Sequence, residues 1–217
     1  MILLNSMKMQ LDILKKRKIK TYLVSAVFKN RHAFFKWYGG IFRKSLSSFE
    51  LLMVQDKFSE QLLNEIQINN TKVCGDTRFD RVLEVKKKFS EIELIKQFKG
   101  DNKLIIAGST WSKDEDLVLD SFMKIKNEKI KLLIAPHEVN EKSVSETEKK
   151  LKERKIKFEL FSKFKNENSE VLVLNTIGVL ARSYAYADAA YIGGGFNEGL
   201  HNVLEASVWS VPVLFYA

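Results

Sequence analysis

The sequence predicts an α/β fold in which a parallel sheet is covered by helices on both faces. Three observations predict it. Short, near-continuous apolar runs recur along the chain, and helix-like stretches separate most of them. Strands buried on both sides read this way, because neither face of the sheet meets water. Several runs end in a glycine, proline or hydroxyl-bearing loop that leads into the next helix, as strand–loop–helix units require. With 217 residues, 45% hydrophobic and 29% charged, the chain is long and apolar enough to bury a sizeable core.

Taken in order, Ile19–Phe28 (IKTYLVSAVF) reads as a strand and Phe49–Val54 (FELLMV) as another. Between them, helical spacing over Ala33–Leu46 would put Phe34, Tyr38, Ile41 and Phe42 on one stripe. Helices are expected near Ser59–Ile66 and over Arg81–Phe98. Short strands follow at Lys103–Ala107, Lys131–Ala135, Lys157–Phe161, Val171–Leu174, Ala189–Ile192 and Val211–Phe215. There is no internal repeat and no low-complexity linker. A boundary is expected near Lys72–Asp80, dividing residues 1–73, the tail of a first α/β domain, from residues 74–217, a Rossmann-like second domain. The first segment shows only two clear strands, and the last strand ends without a closing helix. The chain is therefore expected to be a piece of a longer protein.

The formal net charge is +9, and its distribution is informative. Residues 1–100 carry 20 Lys and Arg against 10 Asp and Glu, whereas residues 101–217 carry 16 against 17. Within the first sixty residues the count is 12 against 4. A basic first part suits a polyanion, whether nucleic acid, an anionic membrane or a phosphorylated substrate, or is simply a solvated face. The single cysteine, Cys74, cannot form an internal disulfide. No apolar run approaches the roughly 18 residues that span a bilayer. The histidines His32, His137 and His201 lie at no metal-ligand spacing, so no metal is expected.

Ligands of open parallel sheets bind at the carboxyl ends of the strands. There, Gly108-Ser109-Thr110-Trp111 precedes the acidic turn Asp114-Glu115-Asp116, and Ser109 and Thr110 either cap a helix or offer hydroxyls to a phosphate. Pro136 ends the next strand. Its neighbour His137 suits a phosphate or a base as well as it suits a surface loop. Asn175-Thr176-Ile177-Gly178 forms a further strand-tip loop. The strongest element is Gly193-Gly194-Gly195-Phe196 followed by Gly199-Leu200-His201-Asn202-Val203-Leu204-Glu205. Its glycines, Gly194 and Gly195 among them, let backbone approach a ligand, and the helix that follows would aim a positive dipole at it. Glu205 is placed to bind a ribose diol, or is a solvated glutamate after a glycine turn. Together these loops describe a nucleotide-sized cleft.

As a set, these stretches resemble the 3-deoxy-D-manno-octulosonic acid (Kdo) transferases, glycosyltransferases that add Kdo to lipid A precursors. The resemblance rests on LVSAVFKNRHAFFKWYGGIFRKSL, VCGDTRFDRV, IIAGSTWSKDED, LLIAPHEV, NTIGVLARSYAYADAAYIGGGFNEGLHNVLEA and VPVLF, in the family's order and over nearly the whole chain. It implies a two-domain GT-B-like glycosyltransferase with the donor CMP-Kdo held in the C-terminal half and no cofactor. The nucleotide contacts it implies fall on Pro136, His137, Ile177, Gly178, Val179, Asn202, Val203, Leu204 and Glu205. A catalytic cation that stabilises the departing CMP phosphate corresponds to Arg78, which on its own spacing could equally bridge to Asp76 or Asp80. The chain departs from the family in having Pro136-His137 for Pro-Arg and Gly178-Val179-Leu180 for Gly-Glu-Leu. The family's general base lies far upstream, and a second functional glutamate would align with Met1. This polypeptide alone is therefore expected to be a poor catalyst.

The resemblance further implies a lipid A precursor as acceptor, met by residues 1–60 at the cytoplasmic face of the bacterial inner membrane. A second reading is a non-catalytic nucleotide- or anionic-membrane-binding module. The aromatic residues Phe34, Phe35, Trp37, Tyr38, Ile41 and Phe42, flanked by Arg31, Lys36, Arg43 and Lys44, would suit that surface, or else pack in the core. Nucleic-acid binding has only the charge in its favour, since no zinc-finger, RNP-like or helix-turn-helix signal is present.

Overall fold

The computed structural model describes residues 2–125, 129–165, 168–196, 199 and 201–216, with side chains described from Met9 onward. It divides into two compact units, Met1–Arg78 and Phe79–Ala217.

The first unit contains α1 (Ile2–Lys16), β1 (Tyr22–Ala26), α2 (Gly40–Leu46), β2 (Leu51–Val54), α3 (Lys57–Glu65) and β3 (Thr71–Val73). Its three strands form a parallel sheet in the order β1-β2-β3. Leu52 and Val54 of the central strand are fully buried and pack with Leu11, Leu46, Phe49, Leu62 and Leu63. The α3 helix starts where it does because Asp56 caps it, accepting the Ser59 N–H at 2.6 Å. Two elements here depart from the sequence reading. The chain has a third strand, β3, too short and too polar to stand out as an apolar run. It also starts with a helix, α1, for which no periodic signal was read.

The helix expected over Ala33–Leu46 is broken. A 3-10 turn at Ala33–Phe35 gives way to α2 only at Gly40. At Gly39 a Cβ would lie 2.3 Å from the Ala33 carbonyl, so only glycine permits this reversal. Arg43 pins the turn by donating to the carbonyls of Phe34 at 2.8 Å and Lys36 at 3.0 Å. The expected stripe consequently splits. Phe34 and Phe42 pack edge to face, 6.2 Å apart, while Tyr38 and Ile41 face solvent.

The second unit holds α4 (Thr77–Lys87, whose first turn straddles the division), α5 (Glu93–Lys99), β4 (Lys103–Thr110), α6 (Ser112–Ile125), β5 (Ile130–Pro136), α7 (Glu141–Glu153), β6 (Phe158–Leu160), β7 (Val171–Val173), α8 (Leu180–Ser183), β8 (Ala189–Ile192), α9 (Leu204–Ser207) and β9 (Val213–Leu214). All six strands run parallel in the order β6-β7-β5-β4-β8-β9. Alternate residues of each central strand feed opposite cores. Leu104, Ile106, Leu133 and Leu172 point toward α5 and Tyr184, whereas Ala107, Leu132, Ile134 and Val173 point toward α6 and α7. The period-2 alternation of a sheet covered on both faces is thus fulfilled side chain by side chain. The helix expected over Arg81–Phe98 is two helices. Between them Tyr186 accepts the Ile92 N–H at 2.5 Å, and Phe89 packs against Tyr186 and Trp209.

Candidate functional site

The loops of the second unit that carry the expected site residues emerge from the carboxyl ends of β4, β5, β7 and β8. At the tip of β4 the strand pairing shifts between Gly108 and Thr110. Ser109 takes up that irregularity with a φ of 53°. A left-handed non-glycine residue costs about 1–3 kcal/mol, a strain the surrounding packing must hold in place. Thr110 is buried, and its hydroxyl donates to the Ala135 carbonyl at 3.3 Å. The His137 N–H donates to the Thr110 carbonyl at 2.9 Å and so fixes the β5 tip beside the β4 tip.

The glycine run after β8 is packed against this loop. At Gly193 a Cβ would lie 2.4 Å from the Ser109 carbonyl, and at Gly194, with φ of 96°, it would lie 2.4 Å from the Gly199 carbonyl. These glycines therefore serve close backbone-to-backbone approach within the site. The fully buried carboxylate of Asp114 ties the two loops together. It accepts the N–H of Trp111 at 2.9 Å, the N–H of Gly194 at 3.0 Å and the hydroxyl of Tyr191 at 2.7 Å. Burial raises the Tyr191 phenol pKa, and its bond to Asp114 raises it further.

Three aromatic rings meet above this anchor. Trp111 Nε1–H donates to His201 Nε2 at 3.0 Å, and His137 stacks on both rings, 4.7 Å from Trp111 and 4.2 Å from His201. An indole N–H can only donate, so His201 Nε2 is an unprotonated acceptor and any ring proton sits on Nδ1. Thr110, Trp111 and Pro136 also line a small cavity of about 200 Å³ with Glu115 and Lys142. Burial raises the Glu115 pKa, opposed by a hydrogen bond from Thr147 and by the Lys150 charge.

A larger cleft of about 510 Å³ brings Gly178 and Glu205 together with Arg81, Glu84, Lys88 and Arg182. Beside Glu205, Asn202 accepts the Leu204 N–H at 3.2 Å and donates to Glu205 Oε1 at 3.4 Å. Ile177 is 82% exposed at the loop surface, Val179 is buried in the core, and Val203 packs against that core. Leu204 is half-buried at the start of α9. The helix expected to aim a dipole at the glycine loop is therefore a single turn, Leu204–Ser207, too short to build a macrodipole.

Arg78 belongs to the other unit. It is exposed and forms a forked pair with Asp76, 2.8 Å from Nε to Oδ2 and 2.6 Å from Nη2 to Oδ2, while its N–H donates to the same carboxylate at 2.9 Å. The hydrogen bond and charge of Arg78 hold the Asp76 carboxyl below its ordinary pKa. Of the two roles open to Arg78 from sequence, the structure displays the pair with Asp76.

Sequence reasoning missed Asp114, Arg81 and Arg182. Asp114 sits in an acidic run that reads as first-turn solvation. Arg81 and Arg182 lie on helices whose relation only the tertiary fold reveals. Among the described residues, no group of three or more His, Cys, Asp or Glu is placed to hold a metal ion, and no helix is long and apolar enough to cross a membrane.

Two successive α/β units with parallel sheets, the second carrying its loops at the strand ends, define the GT-B class of fold. The UDP-GlcNAc 2-epimerase from Neisseria meningitidis, solved with UDP-GlcNAc, shares this fold at a TM-score of 0.59 and 14% identity, over 96% of this chain and 55% of that one. Residues 9–81 match the family model described as 3-deoxy-D-manno-octulosonic-acid transferase (kdotransferase). The 3-deoxy-D-manno-octulosonic acid transferase of Chlamydia trachomatis serovar A is 29% identical over 85% of this chain and 43% of its own length. A bifunctional glycosyltransferase/methyltransferase of Fusobacterium nucleatum is 27% identical over 81% of this chain and 28% of its own. The chain is similar in sequence to Kdo transferases, and it spans less than half the length of these curated relatives.

Proposed function

We propose that this chain is the donor-binding part of a Kdo transferase, holding CMP-Kdo at the strand tips of the second unit for transfer to a lipid A precursor. The observation that carries the reading is the convergence of two sequence-distant loops, at Gly178 and at Glu205, on one cleft of about 510 Å³. That volume lies within the usual range for a small-molecule site, about 300–1,000 Å³. The relatives named 3-deoxy-D-manno-octulosonic acid transferase, which align over most of the chain, support Kdo transfer, and the lipid A acceptor is what the resemblance implies. In this reading Glu205, steadied by Asn202, accepts hydrogen bonds from the ribose hydroxyls, and Gly194 and Gly195 hold the loop that leads to it. Ser109, Thr110, Pro136 and His137 border the same strand ends, and Arg78 retains the leaving-group role that the resemblance gives it.

Calorimetry of the purified chain with CMP, UMP and GMP tests this. Preferential binding of CMP, weakened about tenfold by Glu205→Ala, is the expected result, since the side chain would lose two charge-assisted hydrogen bonds. Unchanged affinity would remove Glu205 from the ribose role. No preference for CMP would remove the donor.

A second reading concerns the first unit and an anionic membrane surface at the cytoplasmic face of the inner membrane. Trp37 is 93% exposed, beside the exposed Tyr38 and Ile41, in the unit that holds most of the basic excess. Exposed aromatics among cations suit a headgroup interface.

A further inference from the structure

The charges lining the large cleft are unequal. Five ionisable side chains face it: Arg81, Glu84, Lys88, Arg182 and Glu205. Lys88, just past the end of α4, and Glu84, four residues before it, neutralise each other through an ion pair at 2.5 Å. Arg182 is half-buried and is held by Ser90, whose hydroxyl accepts from Nη1 at 2.8 Å, and it has no carboxylate partner among the described residues. Arg81 lines the cleft from α4, three residues before Glu84, and its side chain makes no ion pair or hydrogen bond among the described residues. Two guanidinium groups with no carboxylate partner among the described residues thus share a cavity with one carboxylate, Glu205, that is not in an ion pair among them.

We propose that Arg81 and Arg182 form the phosphate-binding pole of this cleft and Glu205 its hydroxyl-binding pole. The ligand this selects carries a phosphomonoester or phosphodiester at one end and free sugar hydroxyls at the other. A guanidinium fork matches two phosphate oxygens, whereas a carboxylate accepts from a diol. Arg182 is pre-positioned by Ser90, so little side-chain freedom is lost when it engages the anion. Arg81, whose side chain has no partner among the described residues, supplies the second fork. The proposal rests on the reading of the second unit as a nucleotide donor site, and adds to that reading the residues that meet the phosphate.

Calorimetry of the full chain tests it with three probes: CMP, cytidine and inorganic phosphate. In the double variant Arg81→Gln/Arg182→Gln, CMP affinity is expected to fall by at least about tenfold while cytidine affinity stays the same. Arg182→Lys, which keeps a cation without the fork, is expected to recover part of the loss. Thermal melts of the variants verify that both remain folded. If the double variant binds CMP as the parent does while Arg78→Ala loses it, the phosphate pole assigned to Arg81 and Arg182 is wrong and the donor site stands. If the parent binds inorganic phosphate in an Arg81- and Arg182-dependent way but no nucleotide, the donor reading falls and the anion pole stands. Binding of none of the three probes overturns both.

Discussion

Asp114 collects donors from two stretches far apart in the sequence: the N–H of Trp111, three residues before it, and the N–H of Gly194 and hydroxyl of Tyr191, 80 and 77 residues on. Its neighbour Asp116 is half-exposed and pairs with Lys150 and Arg154. Nothing in the run Asp114-Glu115-Asp116 separates these fates, because two of the three donors come from β8 and its glycine loop. That is why the sequence revealed the glycine loop but not the residue that holds it. Asp114→Asn can keep one oxygen for the two backbone N–H groups but turns its N–H₂ toward the Tyr191 hydroxyl, which then loses its own acceptor, so a destabilisation of about 1–3 kcal/mol is expected in urea unfolding. A loss below about 1 kcal/mol would show that Asp114 does not anchor the loop. Asp188 works differently. Burial acts to raise its pKa, but hydrogen bonds from Lys103 and Lys99 and from the Leu104 N–H prevail and hold the carboxyl below the ordinary range. A carboxyl depressed on folding stabilises the protein above its unfolded pKa, near 3.9, and loses that contribution as the pH falls toward the folded value. Asp188→Asn should therefore destabilise the chain at pH 7, with the deficit shrinking below about pH 3.9. A deficit independent of pH would assign the effect to packing.

At the scale of elements, the strands of the second unit were legible because β4, β5 and β7 are buried on both faces and must be apolar throughout. Their registers and the order β6-β7-β5-β4-β8-β9 were not legible, since alternation shows where a face turns and not which strand lies beside it. The helix read over Ala33–Leu46 failed for a related reason. Apolar spacing continues across a reversal that Gly39 and Arg43 impose through contacts between backbone carbonyls and one guanidinium. The reversal leaves Trp37 and Tyr38 outside, in a T-shaped contact of 5.5 Å. If this turn meets an anionic surface, the chain should sediment with anionic vesicles more than with neutral ones, and Trp37→Ala should reduce that fraction. Equal sedimentation with both kinds of vesicle would leave the turn a plain surface feature.

At the scale of the whole molecule, the charge follows the division into units. The first carries 14 Lys and Arg against 6 Asp and Glu, and the second 22 against 21. The nearly neutral unit contains the cleft, so ligand selection there depends on the placement of a few side chains and not on net charge. The central claim is that this cleft is the site of the donor nucleotide. An amide-resolved NMR titration of the chain with CMP tests it most directly. The account predicts saturable shifts at Gly178, Gly194 and Glu205, with the amides of the first unit's sheet unmoved. Shifts confined to the first unit, or none at saturating CMP, would contradict it.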